Sequence, residues 1–219
     1  LFRSGLDILQ AGGNAMDAAI AVNAMLGVVE PMSNGIGGDP FCIYWDNKSQ
    51  KLYGLNASGR SPYKATREYF DQKGLDEIPL FGPLAWSVPG CVSGWQSLNE
   101  RFGSVPLKQI LAPAIHTARE GFPVSEVIAH YWNVSTSSLA AHPGSAQTYL
   151  IDGKHPPGFG EIYQLPKLAD SYQLIAEQGA DAFYRGTIAQ EIVAYSNKVG
   201  GLFTMKDFLD HKPTWVAPV

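Results

Sequence analysis

Residues 34–62 constrain the fold more than any other stretch, because they combine two short apolar runs with two loops of small residues. The runs Phe41–Trp45 and Lys51–Leu55 flank a polar turn, and this pattern predicts a β-hairpin. A glycine-rich loop, Gly35–Gly38, precedes the hairpin, and a second loop of small residues, Asn56–Arg60, follows it. Loops on a rigid scaffold commonly present binding groups, so these two loops are where we expect them.

The hairpin sequence also predicts how the hairpin packs. The first run is apolar on both of its faces, so we expect that strand to be covered on both sides. Gly54 interrupts the second run, and a glycine inside a strand predicts that another group packs closely there. A further strand is predicted over Phe81–Val88. Residues 133–166 are rich in Ser, Gly and Pro and are predicted to be mostly loop, with a short strand near Tyr149–Ile151.

Helical patterns account for most of the remaining chain. Asn14 is predicted to cap the second helix, with Asp17 at its third position, where an acidic side chain favours the helix dipole. Thr187 is predicted to cap a later helix, and Thr204 with Asp207 forms a variant capping box. The predicted helices span Arg3–Gln10, Ala15–Val29, Lys64–Gln72, Cys91–Arg101, Leu107–Glu120, Val124–Tyr131, Leu168–Gln178 and Thr187–Val199.

Length and charge exclude several classes of protein. A chain of 219 residues is one domain or a large piece of one, and residues 1–219 are interpreted as a single-domain fragment because both ends look cut. The net charge of −4, without a basic patch, argues against a nucleic-acid partner. The longest apolar stretch, Ala15–Val29, is too short to span a bilayer. The sequence leaves the cellular location open.

No cofactor or metal is expected. Gly35–Gly38 lacks the Lys-Ser/Thr of a phosphate-binding loop and precedes a strand, and the Rossmann spacing is absent. No Cys/His cluster has zinc-ligand spacing. Cys42 and Cys91 are expected to be buried thiols rather than a disulfide. Cys91 begins a helix, which lowers a thiol pKa and makes it a conceivable nucleophile, but without an identifiable base a structural role is favoured.

Two charged residues remain as candidates for ligand binding. Asp39 follows the glycine-rich loop and could bind an amine or cap a turn, and the turn is favoured. Arg60 is a lone cation in a loop of small residues. It could clamp a carboxylate through two parallel hydrogen bonds, or it could pair with a surface acid, and the residues alone favour neither.

Several motifs carry a family resemblance. GLDILQAGGNAMDAAIAVNAMLGVVEP and SNGIGGDPF are followed in order by SVPGCVSGW, RFGSVPLKQILAPAIHTAREGF, DAFYRGTIAQEIV and GGLFTMKDF. Together they resemble the large subunit of the gamma-glutamyltransferase family over nearly the whole chain. The GIGGD and NASGR motifs resemble its gamma-glutamyltransferase-like branch, which includes cephalosporin-acylase-like proteins.

The resemblance implies a fold and an activity. The fold is α+β: part of the four-layer αββα sandwich of N-terminal-nucleophile hydrolases. Members cleave themselves, and the N-terminal threonine of the small subunit becomes the nucleophile that transfers or hydrolyses γ-glutamyl amides such as glutathione. The implied partners are the protein's own small subunit and a γ-glutamyl or related acyl-amide substrate. The implied site of this chain contains no catalytic residue, and the fragment alone is expected to be inactive.

The substrate clamp departs from the family pattern. Typical large subunits bind the glutamyl carboxylate with an arginine after the second hairpin strand, and that position holds Ser58 here. Arg60 lies two residues later and could substitute, since a shift of two along a strand keeps the same face. Ser58 and Arg60 are therefore the predicted substrate-binding residues. The alternative is a degenerate, non-catalytic paralogue that keeps the scaffold for binding or assembly.

Overall fold

The computed structural model describes residues 2–218, which form a mixture of helices and antiparallel strands. The α+β class is therefore confirmed. In chain order the elements are α1 (Phe2–Gln10), α2 (Ala15–Val29), β1 (Phe41–Asp46), β2 (Lys51–Asn56), α3 (Arg67–Gln72), a 3-10 turn (Pro83–Ala85), α4 (Cys91–Phe102), α5 (Leu107–Glu120), β3 (Phe122–Pro123), α6 (Glu126–Ala140), α7 (Pro143–Tyr149), β4 (Ile162–Tyr163), α8 (Pro166–Gln178), α9 (Ala180–Tyr184), α10 (Thr187–Lys198), α11 (Met205–Leu209) and β5 (Thr214–Val216).

The chain forms two compact units. The first unit comprises residues 1–35 and 102–177, and the second comprises residues 36–101 and 178–219. The prediction of a single-domain fragment remains a prediction. No helix among residues 2–218 is both long enough and apolar enough to cross a membrane.

Helix α2 forms the core of the first unit. Its small apolar residues are buried on several sides, as predicted. The predicted cap is also present: the Asn14 side chain accepts hydrogen bonds from the amides of Met16 and Asp17. The Asp17 carboxylate, with no exposed surface, accepts from the Asn14 amide and from the Ser104 amide and hydroxyl. This one carboxylate therefore ties the start of α2 to the loop before α5.

The prediction of loop over residues 133–166 is wrong for residues 133–140 and 143–149, which are helical, and holds for most of residues 150–161. Helix α6 continues to Ala140, α7 follows it, and the predicted strand at Tyr149–Ile151 is reduced to an isolated bridge between Ile151 and His155. Buried contacts override the Ser-rich composition, because Trp132 lies almost wholly inside the unit. Its indole nitrogen donates to the Tyr149 carbonyl at 2.8 Å, and its ring meets that of Tyr163 edge-on. Local propensity is a weak predictor when such a side chain anchors a helix.

The second unit contains the predicted hairpin as part of a three-stranded antiparallel sheet of order β1-β2-β5. Gly54 pairs with Ile43 on one side and with Val216 on the other. A Cβ atom on Gly54 would lie 2.9 Å from the Val216 side chain, so the predicted close approach is confirmed, and β5 makes it.

Strand β5 is also held by an arginine at the end of α4. The Arg101 guanidinium lies 4.4 Å from the ring centroid of Tyr53 and 4.3 Å from that of Trp215. The Trp215 indole donates to the Ser97 hydroxyl at 3.1 Å. These contacts join the sheet to α4, the helix that begins next to the candidate site.

Three further predictions for this unit are wrong. Phe41, Ile43 and Trp45 are 69%, 73% and 51% exposed, so one face of β1 is open rather than covered. Residues 81–88 are not a strand: three of them form the 3-10 turn, and Pro83 lacks the amide that a ladder needs. The N-cap of helix α10 is Gly186 and not the predicted Thr187, which is the first residue of the helix. The capping box at the start of α11 is present as predicted.

Candidate substrate-binding loops

Two loops of the second unit lie side by side because β1 and β2 pair in register. We call residues 36–40 the glycine loop and residues 57–60 the Arg60 loop; the first enters β1 and the second leaves β2. The Ala57 amide donates to the Pro40 carbonyl at 3.0 Å. The Gly59 amide donates to Oδ1 of Asp39 at 2.9 Å. Asp39 therefore joins one loop to the other, and its carboxylate lies at the loop surface.

A third segment, residues 87–91, crosses behind both loops, and we call it the strap. The Val88 amide donates to the Arg60 carbonyl at 2.9 Å. The amides of Gly90 and Cys91 both donate to the Gly38 carbonyl, at 3.0 and 2.9 Å. Contact is so close that a Cβ atom on Gly90 would lie 1.8 Å from the Ala57 carbonyl oxygen. The strap thus fixes the backbone of the glycine loop and of the Arg60 loop together.

Ser58 and Arg60, the predicted binding residues, lie beyond the end of the sheet. Strand β2 ends at Asn56, whose side chain accepts the Ser58 amide at 2.8 Å, so the chain turns there. The expectation that a two-residue shift keeps one face of a strand does not apply to this turn. Ser58 is half-buried and Arg60 is exposed. Within residues 2–218 no carboxylate forms an ion pair with the Arg60 guanidinium, which leaves its five donors available to a ligand.

The far side of the Arg60 loop is fixed by α11. The Tyr63 amide donates to Oδ1 of Asp207 at 2.7 Å. The other oxygen of this buried carboxylate accepts from the Thr204 amide and hydroxyl. Arg60 is therefore held between two backbone anchors, one on the strap and one on α11.

A buried polar cluster lies under the strap, and the sequence did not indicate it. The Ser93 hydroxyl donates to the Gly90 carbonyl at 2.7 Å and lies 3.0 Å from Nε2 of His211. The Tyr184 hydroxyl donates to the Pro89 carbonyl at 2.7 Å and accepts the Ser93 amide at 3.1 Å. The three side chains come from segments far apart in sequence, and no local motif links them.

Cys91 lies at the start of α4, but its surroundings do not suit a nucleophile. Burial, reinforced by the negative charge of Asp39, raises the pKa of the Cys91 thiol to about 12. Desolvation therefore outweighs the expected effect of the helix N-terminus, and the thiol stays protonated near neutral pH. Cys42 and Cys91 are not joined by a disulfide; Cys91 is buried as expected, whereas Cys42 is only half-buried. The favoured structural role of Cys91 agrees with this environment.

No group of three potential metal-ligating side chains converges anywhere in the described part of the chain. What the loops offer is an exposed guanidinium, an exposed carboxylate and rigid backbone. This arrangement suits recognition of a charged small molecule, and it does not contain a nucleophile with its base.

The comparisons agree with one another on the family. The family model for gamma-glutamyltranspeptidase matches residues 3–219. The chain is 40% identical over 218 residues to the glutathione hydrolase-like YwrD proenzyme of Bacillus subtilis, covering 99% of this chain and 41% of that protein. The solved cephalosporin acylase of Bacillus halodurans has a TM-score of 0.93 at 40% identity, with 99% of this chain and 41% of that chain covered.

A gamma-glutamyltranspeptidase of Helicobacter pylori has a TM-score of 0.94 at 30% identity, covering 99% of this chain and 63% of that chain. The fold is accordingly that of the N-terminal-nucleophile hydrolases. The chain belongs to the gamma-glutamyltranspeptidase family, as the resemblance indicated. It spans about a third to two fifths of the length of the curated relatives that it matches.

Proposed function

We propose that this chain is the large-subunit part of a self-processing amidohydrolase or acyltransferase, and that Arg60 binds the carboxylate of the acyl donor. The nucleophile would be the N-terminal threonine of a small subunit. Its hydroxyl oxygen attacks the amide carbonyl, an ester forms, and the amine leaves with the proton. Water or an acceptor amine then cleaves the ester. The substrates would be γ-glutamyl amides such as glutathione, or related acyl amides with a free carboxylate.

The observation that supports this role is the placement of Arg60. Its guanidinium is exposed and has no ion-pair partner within residues 2–218, while its backbone is fixed on both sides by hydrogen bonds. A rigid backbone with a free guanidinium is suited to binding a carboxylate through two parallel hydrogen bonds. Half-buried Ser58, which stands where typical members have the arginine, can donate only one hydrogen bond.

The open face of β1 supports the proposed partner. Phe41, Ile43 and Trp45 share this face with Leu52 and Val216, which are also exposed. Contiguous exposed apolar residues on a sheet mark an interaction surface. We infer that the small subunit covers this face. Ile43→Asp in the full-length protein should then separate the two polypeptides after processing, whereas Lys48→Asp in the hairpin turn should leave them together on size-exclusion chromatography.

The role of Arg60 is tested in the full-length, processed protein with γ-glutamyl-p-nitroanilide and glutaryl-p-nitroanilide. Arg60→Ala should raise KM for both donors by about tenfold or more, which corresponds to the loss of charge-assisted hydrogen bonds. Arg67→Ala is the matched control, because that arginine is exposed and pairs with Asp71 on α3. A strong preference for the γ-glutamyl donor that is unaffected by Arg60→Ala would refute the clamp. A full-length protein that lacks the threonine and hydrolyses neither donor would instead support the non-catalytic paralogue.

A further inference from the structure

His211 carries a buried nitrogen that the fold leaves without a hydrogen-bond partner. Its imidazole is 8% exposed and stacks on the ring of Tyr184, with centroids 5.1 Å apart. Among the buried side-chain atoms of residues 2–218, Nδ1 of this ring lacks a partner. Leaving a buried polar atom unpaired is costly, so the other contacts of the ring, the hydrogen bond at Nε2 and the stacking on Tyr184, must fix this orientation.

The hydrogen-bond network assigns the tautomer of His211. The Ser93 hydroxyl gives its single proton to the Gly90 carbonyl, so it accepts the hydrogen bond that joins it to Nε2 of His211. Nε2 therefore carries the proton, and Nδ1 has the lone pair. Burial lowers the pKa of His211, the nearby Arg60 charge lowers it further, and the Asp39 charge raises it. The ring is neutral near pH 7 and adds no second positive charge beside Arg60.

The hydrogen bond between His211 and Ser93 is linked to the Arg60 loop through the strap. The Ser93 hydroxyl donates a hydrogen bond to the Gly90 carbonyl, and the Tyr184 hydroxyl donates one to the Pro89 carbonyl. One residue before them, the Val88 amide holds the Arg60 carbonyl. A Cβ atom on Gly59 would lie 2.1 Å from the Val88 carbonyl oxygen, so the backbones of the strap and the Arg60 loop are in direct contact. A displacement of the strap would therefore move the Arg60 backbone.

We propose that His211 is a positioning residue: through Nε2–H, Ser93 and the strap, it sets where Arg60 meets the carboxylate of an acyl donor. The proposal rests on the proposed function of Arg60 and adds a specificity role for a buried residue that does not touch the substrate. It predicts that changes at His211 alter the binding of donors with a carboxylate and leave neutral donors unaffected.

Two amide substitutions at His211 separate the two ring nitrogens. The side-chain nitrogen of His211→Gln can reach the place of Nε2, whereas that of His211→Asn reaches only the place of Nδ1. In the full-length processed protein, His211→Asn should raise KM for glutaryl-p-nitroanilide by about tenfold, the equivalent of one hydrogen bond, with kcat little changed. His211→Gln should restore KM to near that of the parent protein. Hydrolysis of acetyl-p-nitroanilide should be the same in all of them. His155→Asn, an exposed histidine, is the matched control.

Each outcome decides between the proposals. If the parent protein hydrolyses neither these two anilides nor γ-glutamyl-p-nitroanilide, the proposed function fails, and the role of His211 falls with it. If the parent is active but His211→Asn affects both donors equally, or neither, only the positioning role is overturned. The double variant His211→Asn/Arg60→Ala should bind the carboxylate donor no more weakly than Arg60→Ala alone. If His211→Asn does not fold, Tyr184→Phe decides, because it removes the other hydroxyl that holds the strap, and an unchanged KM would overturn the proposal.

Discussion

Replacing Gly90 by alanine tests the packing on which the candidate site depends. The new Cβ atom would lie 1.8 Å from the Ala57 carbonyl oxygen, a backbone atom that cannot rotate away. The two segments must separate by well over an ångström, which weakens the hydrogen bond from the Gly90 amide to Gly38 and the one from the Ala57 amide to Pro40. Overpacking costs about 1–3 kcal/mol and each of the two weakened bonds about 1 kcal/mol, so we expect a loss of at least about 3 kcal/mol.

The assay is thermal unfolding of the full-length protein. A loss of 3 kcal/mol lowers the melting temperature by about 6–12 °C in a folding unit of 150–250 residues, and by less if a longer chain unfolds in one step. Gly37→Ala is the control, because a Cβ atom there meets nothing within 4 Å, and its change should stay within about 0.5 kcal/mol. Gly94→Ala, which meets the flexible ring of Pro40 at 2.5 Å, should fall between them. Equal melting temperatures for the Gly90 and Gly37 variants would refute the reasoning.

Three other predictions address the surroundings of the site. Arg101→Ala should lower stability by about 1–2 kcal/mol, because two ring contacts are lost, and Arg101→Lys should lose less; urea unfolding followed by tryptophan fluorescence measures both. At pH 8, iodoacetamide should leave Cys91 unmodified in the folded protein, since its thiol pKa is raised to about 12, and should modify it after unfolding; mass spectrometry of peptides would reveal the opposite. Because the pKa of His211 is depressed below 6.5 in the folded protein, its stabilising effect is present above pH ~6.5 and is lost as the pH falls through the folded value. The melting temperature should therefore drop more between pH 8 and pH 5 in the parent protein than in His211→Gln.

Most helices and the hairpin could be predicted because their determinants are local. Asn14 and Asp17 form a capping box within four residues, and the buried stripe of α4 repeats at helical spacing. Both patterns are visible in a short stretch of sequence. The predictions that failed depend on distant groups. Residues 133–140 and 143–149 are helical in part because Trp132 is anchored at Tyr149. The covered face expected for β1 is open because residues 2–218 place nothing over it. Neither contact is visible in a local pattern.

The sequence singles out Arg60 as a candidate binding residue, and this stays a prediction, but it does not indicate the contacts that fix the Arg60 backbone. Arg60 was identified by its charge in a loop of small residues, which is a compositional feature. Ser93, Tyr184 and His211 were missed because Ser93 lies 91 residues from Tyr184 and 118 from His211, and no local motif joins them. Only the fold shows that all three bear on one short strap.

Because β2 ends at Asn56, the direction of the Arg60 side chain does not follow from the geometry of the strand. On a continuous strand, a side chain two residues later would keep its direction and move by about 7 Å. In this turn, direction is set instead by the Asn56 side chain, the Asp39 carboxylate and the strap. The position of Arg60 is therefore not inherited from the sheet but depends on contacts that the loops and the strap supply. If Arg60 binds the acyl donor as proposed, donor specificity should respond to residues that never touch the donor, because the strap sets the position of the Arg60 backbone.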